Sequence, residues 1–270
     1  LTVAVGIDQG VISAKSTYFD PGFVEVAGRK ISNFDGKARG TVDMQTALSQ
    51  SLNVGMVHIT RLVTKEVQRD YFYNFGLNKK TNIDLPNESA NLVRNLESRR
   101  DIEHFTASFG QGIAMTPIST VRALATLANG GALVEPHVVK RINYKTGLSK
   151  EREVTSGARV IKPETAEDVT RMMVYSVDNI LKNGKTKLPN YSVAAKTGTA
   201  QIAKPGGGGY SDTDFLHSFV GYFPAYDPQF FIFLYTVKPK GVSFSSETLT
   251  DPFSEVVKFL INYYELPPDR

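Results

Sequence analysis

Ala195-Lys196-Thr197-Gly198-Thr199-Ala200-Gln201 lies inside a segment, residues 192–201, that alternates as a strand does, and two further strand-like segments follow at 216–222 and 229–237. The connections are glycine-rich at 206–209 and Pro224-Ala225-Tyr226-Asp227-Pro228. Connections this short predict antiparallel pairing of the three strands. Side chains alternate along a strand, so Lys196 and Gly198 share one face and Thr197 points to the other. A glycine on an open face lets a peptide-like ligand approach the backbone, while an ammonium and nearby hydroxyls from Thr197 or Thr199 suit a carboxylate. If this strand is a sheet edge, its free N–H and C=O groups can take up an extended peptide. Taken alone, a Lys-Thr-Gly tripeptide is more often a solvent-exposed turn.

The sequence ahead of these strands is mostly helical. Residues 1–10 carry a short helical pattern, and 12–40 read as irregular, with Asp20-Pro21-Gly22 and Asp35-Gly36 as turn signals. Thr41 is expected to cap a helix bearing Met44, Ala47 and Leu48 and ending near Ser51. A second helix is expected from about Val54 through Val57, Arg61, Leu62 and Lys65. Ser51-Leu52-Asn53 thus falls in the joint between two helices, where short polar side chains can be aimed into a cleft. By itself the triplet reads as capping chemistry, because such joints collect Ser and Asn. Thr116-Pro117 opens a further helix that closes at Asn129-Gly130-Gly131. Another spans about 163–181, and a last one opens at Asp251-Pro252 with Phe253, Val256, Val257, Leu260 and Tyr264 inward.

Composition narrows the function classes. With 270 residues and 41% hydrophobic content, the chain can bury a sizeable core. It has no cysteine, which removes disulfides, thiolate nucleophiles and Cys-based zinc sites. The net charge of +4 is spread without a basic block, so no nucleic-acid partner is expected. No stretch approaches the length of a membrane helix. Gly184-Lys185-Thr186 resembles the end of a phosphate-binding loop, but Asn179 stands where its first glycine is required. Gly110 and Gly112 lack the third glycine of a dinucleotide fingerprint, Met115 being there instead. His58, His104, His137 and His217 are isolated, so neither a metal nor a cofactor is expected.

Ser51-x-Asn53 followed by Lys196-Thr197-Gly198 gives, in order, two of the three motifs shared by penicillin-binding proteins and β-lactamases. Further segments extend the likeness: Ser108-Phe109-Gly110-Gln111-Gly112 leading to Met115-Thr116-Pro117, Gly76-Leu77 through Asp84-Leu85-Pro86, and His217-Ser218-Phe219-Val220-Gly221-Tyr222-Phe223-Pro224-Ala225. Over nearly its whole length the chain resembles the transpeptidase domain of a class B penicillin-binding protein. The third motif, Ser-x-x-Lys, occurs nowhere in the sequence. Residues 1–12 are similar to the helix that follows it in the family, so the sequence reads as a fragment starting just after the nucleophile.

The resemblance implies an α/β (α+β) architecture of the penicillin-binding/β-lactamase-like fold. An antiparallel sheet is flanked by helices and accompanied by an all-helical subdomain, the first sheet strands are missing, and residues 1–270 form one transpeptidase domain. It implies a peptidoglycan D,D-transpeptidase that cross-links stem peptides ending in D-Ala-D-Ala through a serine acyl-enzyme and is inhibited by β-lactam antibiotics. Ser51 would relay a proton. Asn53 would bind the substrate amide, and Lys196 would supply positive potential. Thr197, Gly198 and Thr199 would line the carboxylate subsite, the Thr199 N–H forming half of an oxyanion hole. An upstream segment carrying Ser-x-x-Lys would complete the fold, and this chain alone would be inactive. The parent protein would be anchored at the outer face of the bacterial cytoplasmic membrane. A D,D-carboxypeptidase or β-lactamase-type hydrolase, and a non-catalytic β-lactam sensor or degenerate peptidoglycan-binding module, are the alternatives.

Overall fold

In the computed structural model, which describes residues 1–154, 156–207 and 209–270, helices precede a three-stranded meander. In chain order, helix α1 (Thr2–Asp8) leads to strands β1 (Thr17–Asp20), β2 (Phe23–Val26), β3 (Arg29–Ser32) and β4 (Gly40–Asp43). Helices α2 (Met44–Ser49), α3 (Asn53–Val63), α4 (Lys65–Asn74), α5 (Asp101–Ser108) and α6 (Pro117–Ala128) follow. Strands β5 (Ala132–Val134), β6 (Arg141–Asn143), β7 (Ser149–Glu151) and β8 (Ser156–Arg159) precede helix α7 (Pro163–Tyr175). The chain ends with β9 (Ala194–Ala203), β10 (Tyr210–Phe223), β11 (Phe230–Val237), α8 (Ser245–Thr248) and α9 (Thr250–Tyr263).

The chain divides into two compact units. One comprises 1–13, 24–31 and 56–166 and is mainly helical. Here α1 is buried through Val3, Ala4 and Val5, and it is tied down by its last residue. Asp8 accepts hydrogen bonds from Tyr71 Oη (2.6 Å), Lys162 N (2.7 Å) and Thr165 Oγ1 (2.8 Å). Burial pushes the Asp8 carboxyl up, but those three bonds and the Lys162 charge outweigh it and hold the group below its ordinary range. Two small antiparallel ribbons, β5 with β8 and β6 with β7, belong to this unit.

The other unit comprises 14–23, 32–55 and 167–270. Its sheet runs in the order β11-β10-β9, all antiparallel, as the strand spacing predicts. On one face of that sheet α9 lays Phe253, Val257 and Ile261 against Ala195, Phe219 and Phe223. The Phe219 and Phe253 rings meet at 4.4 Å. Gly221 permits this approach, since a Cβ there would meet the Phe253 ring at 2.5 Å and the Ala195 Cβ at 2.9 Å. On the opposite face Tyr222 Oη and Thr170 Oγ1 of α7 share a 2.6 Å hydrogen bond.

Several local expectations need correction. Residues 12–40 are not wholly irregular; β1 pairs with β4 and β2 with β3, in pieces only four residues long that carry little periodic signal. Thr41 lies in β4, and the cap of α2 is Asp43, whose carboxylate accepts the Thr46 N–H at 2.8 Å. The helix expected to run from Val54 through Lys65 breaks at Thr64, which has φ 72° and caps α4. α7 loosens into a π turn at Ser176–Ile180. Tyr264 is not inward but 56% exposed, leaning on the Phe230 ring at 5.0 Å. In the glycine-rich connection at 206–209, Gly206, Gly207 and Gly209 join β9 to β10 with positive φ, and Gly208 lies outside the described residues.

Candidate active site

The joint between α2 and α3 is built from a helix C-cap. After Ser49 ends α2, the Ser51 N–H donates to Leu48 O at 3.2 Å and the Leu52 N–H to Ala47 O at 2.9 Å. This is the paired closure of a Schellman motif, which places its turning residue in the left-handed region. That residue is Ser51, with φ 53°. Glycine is the usual occupant of such a position, because a Cβ there is strained. Leu52, fully buried, anchors the turn from below, so the Ser51 side chain is directed outward from a fixed backbone. α2 itself is held against α7 by Gln45 Nε2 donating to Met172 O at 3.0 Å and by a 2.7 Å bond between the Ser49 and Ser176 hydroxyls.

Lys196 reaches this joint from β9 and donates a hydrogen bond to Ser51 Oγ. It gives a second to Thr197 O at 2.8 Å. An ammonium has three donors, so two are engaged within the site and a third remains for a ligand. Lys196 is half-buried, and burial lowers its pKa to about 8. Ser51 Oγ accepts from the lysine and still has its own proton to give. That pairing of a hydroxyl with an easily deprotonated amine can pass protons.

Asn53 opens α3, and its Nδ2 donates to Ser32 O at 2.9 Å. This uses one of its two N–H groups and orients the amide. Gly198 lies opposite Ser218 in the β9–β10 register, and a Cβ at Gly198 would meet Ser218 Oγ at 2.6 Å. By strand alternation Gly198 shares the Lys196 face, while Thr197 and Thr199 share the face of Ala195, which packs toward α9. Thr199 is exposed and its Oγ1 accepts the Ser245 N–H at 3.1 Å. Behind it His217, fully buried, shares a 3.0 Å bond with Thr248 Oγ1, and burial lowers its pKa. β9 is the outer strand of its sheet, so its side away from β10 has no strand partner among the described residues.

Thus Ser51 and Lys196 are brought into direct contact, Asn53 stands in the same joint, and Gly198 lies on the Lys196 face. The two threonines sit across the strand, with Thr199 at the start of α8. Sequence reading missed Asp20 and Asn33, which are buried beneath the joint; the signal available was polar residues recurring in a stretch with little helical or strand periodicity. It also missed Phe34 and Phe244, an exposed aromatic pair with ring centroids 5.6 Å apart.

Comparison with known proteins points to one family. The family described as the penicillin binding protein transpeptidase domain matches residues 1–257. Stage V sporulation protein D of Bacillus subtilis is 29% identical over 260 residues, covering 93% of this chain and 39% of that protein. Penicillin-binding protein PbpB of Mycolicibacterium smegmatis is 28% identical over 277 residues, covering 99% of this chain and 42% of the relative. Among solved structures, penicillin-binding protein 3 of Mycobacterium tuberculosis complexed with aztreonam superposes with a TM-score of 0.89 at 25% identity, over 100% of this chain and 62% of that one. The chain therefore spans less than half the length of these two curated relatives.

Proposed function

The chain belongs to the penicillin-binding protein transpeptidase family, and from that premise we propose that it is the larger part of a peptidoglycan D,D-transpeptidase whose nucleophilic serine lies on a segment ahead of Leu1. The observation that carries this reading is the Lys196–Ser51 hydrogen bond beside the open edge of β9. It joins a charge, a proton-passing hydroxyl and a row of backbone groups suited to an extended peptide.

In this mechanism the serine Oγ attacks the penultimate D-Ala carbonyl of a stem peptide and its proton passes to the lysine of the same missing motif. The carbonyl oxygen takes the negative charge, facing the Thr199 N–H as one of two donors. Collapse breaks the peptide bond, and Ser51 passes a proton to the departing D-Ala amine. The acyl group then moves to an amine of a neighbouring strand, which restores the serine. Asn53 hydrogen-bonds the substrate amide. Lys196 draws in the terminal carboxylate, Gly198 leaves room for it, and Thr197 and Thr199 supply hydroxyl donors. β-Lactams enter the same path as mimics of D-Ala-D-Ala and stop at the acyl-enzyme.

Residues 1–270 act here as one domain, a reading supported by a family match that runs through both compact units. The missing segment also supplies strand neighbours to the sheet, since among the described residues β11 pairs with β10 alone. It leads to an anchor at the outer face of the bacterial cytoplasmic membrane. Among the described residues no helix is long and apolar enough to cross a membrane.

Intact mass spectrometry after incubation with benzylpenicillin tests the proposal. A penicilloyl adduct is expected on the longer protein bearing Ser-x-x-Lys and none on the 270-residue chain alone, because loss of the nucleophile removes most of the rate. An adduct on the short chain, or none on the longer protein, overturns it.

A further inference from the structure

α3 begins without a cap of its own. Leu52 precedes its first residue and carries no side-chain acceptor, yet the first-turn N–H groups of a helix need one. The acceptor comes from the loop between β3 and β4: Asn33 Oδ1 takes the Val54 N–H at 3.2 Å. One residue earlier, at the end of β3, Ser32 O accepts the Asn53 side chain. The end of β3 and the residue after it therefore grip two consecutive residues at the start of α3, Asn53 by its side chain and Val54 by its backbone.

What holds Asn33 is a buried carboxylate. Asp20 is fully buried and Asn33 is 3% exposed. Asn33 Nδ2 donates to Asp20 Oδ1 at 3.0 Å and to Oδ2 at 2.8 Å. The remaining capacity of Asp20 takes the Gly22 N–H at 2.7 Å and the Tyr18 hydroxyl at 3.3 Å. A carboxylate this deep persists only when its oxygens are satisfied. Satisfying them fixes the Asn33 amide so that its oxygen, not its nitrogen, faces α3.

We infer that Asn33, oriented by Asp20, is a positioning residue: a remote helix cap that sets Asn53 and the Ser51 turn in place for the substrate. The inference rests on the proposed reading that Ser51 and Asn53 meet the substrate. Neither Asp20 nor Asn33 touches the ligand, and both act through the joint.

An exchange of the two side chains tests it. Asn33→Asp sets one carboxylate against another, Asp20→Asn removes the charge that orients the amide, and the double variant restores a donor facing an acceptor with an oxygen still toward Val54. In hydrogen exchange read by mass spectrometry, amides of the Ser51 turn and the first turn of α3 are expected to exchange about tenfold faster in Asn33→Asp, the loss of roughly one hydrogen bond, and to recover in the double variant. In the full-length protein, acylation by benzylpenicillin is expected to fall about tenfold in Asn33→Asp. Acylation by 6-aminopenicillanic acid, which lacks the side-chain amide that Asn53 would bind, is expected to fall less than about threefold. Merely lowered folding would depress both alike. Unchanged exchange, equal loss toward both penicillins, or a double variant no better than Asn33→Asp overturns the inference. Absence of acylation in the unmodified full-length protein overturns the transpeptidase reading instead, and the exchange comparison still decides whether Asn33 holds the joint.

Discussion

Ser51 is a polar side chain in a position suited to glycine, and its Cβ carries a cost in stability. Ser51→Gly is expected to raise stability by about 0.5–1 kcal/mol in urea unfolding, the relief of a left-handed residue less the entropy of a new glycine, while removing the partner of Lys196. A loss of stability would show that the turn depends on the hydroxyl. Lys196 invites a second measurement. Its burial-lowered pKa of about 8 means that, in competitive acetylation followed by peptide mapping, it is expected to titrate near 8, where exposed lysines do so at about 10.4. Because the charged form is the one being lost, attraction for a carboxylate declines as pH rises through that value; a midpoint above 10 would contradict this. At this scale the sequence was partly legible. Order and spacing singled out Ser51, Asn53 and Lys196, and alternation assigned the faces of Lys196, Thr197 and Gly198. It could not show Asn33 reaching Val54, because that contact joins a loop to a helix 21 residues away and leaves no periodic trace.

Elements with a long repeat were read well. α6 begins and ends where Thr116-Pro117 and Asn129 place it, and β9 and β11 fall close to their predicted spans, while β10 begins at Tyr210, well ahead of the expected 216. The short strands β1 to β4 were lost because four residues cannot establish a period of two against turn-rich neighbours. α1 illustrates what local pattern omits: seven residues are too few to be helical alone, and packing together with the bonds to Asp8 holds the helix in place. Asp8 titrates below its unfolded value, so its stabilisation is fully present above the ordinary carboxylate range and is lost as pH falls through the lowered folded value. Asp8→Asn is therefore expected to cost about 2 kcal/mol at pH 7, the order of one hydrogen bond to a charged group. The gap from the unaltered protein should close below about pH 4. Urea unfolding across that range checks it, and a gap that persists in acid would assign the loss to packing instead.

For the whole molecule, each compact unit is assembled from three separated stretches of chain, a division that no shift of composition announced. The sequence was legible here through resemblance more than through pattern, since likeness at scattered segments pointed to a single family while periodicity alone stopped at a mixed fold. The expectation of a further strand beside β11 rests on physical grounds, because six apolar residues, 230–235, need more cover than one strand gives, and among the described residues β11 pairs with β10 alone. Under the proposed function β9 has the opposite requirement, since its free edge is the one that takes up the extended ligand. Proteins usually defend a free strand against stray partners with a proline, a bulge or a lysine on the open side, but each of those remedies would also deny that backbone to a ligand. A lineage under pressure to refuse one visitor while accepting another of the same extended shape has little freedom in this main chain. Selectivity must then be rewritten in the side chains around it, so that escape from an inhibitor and loss of the natural guest are drawn from the same short set of positions.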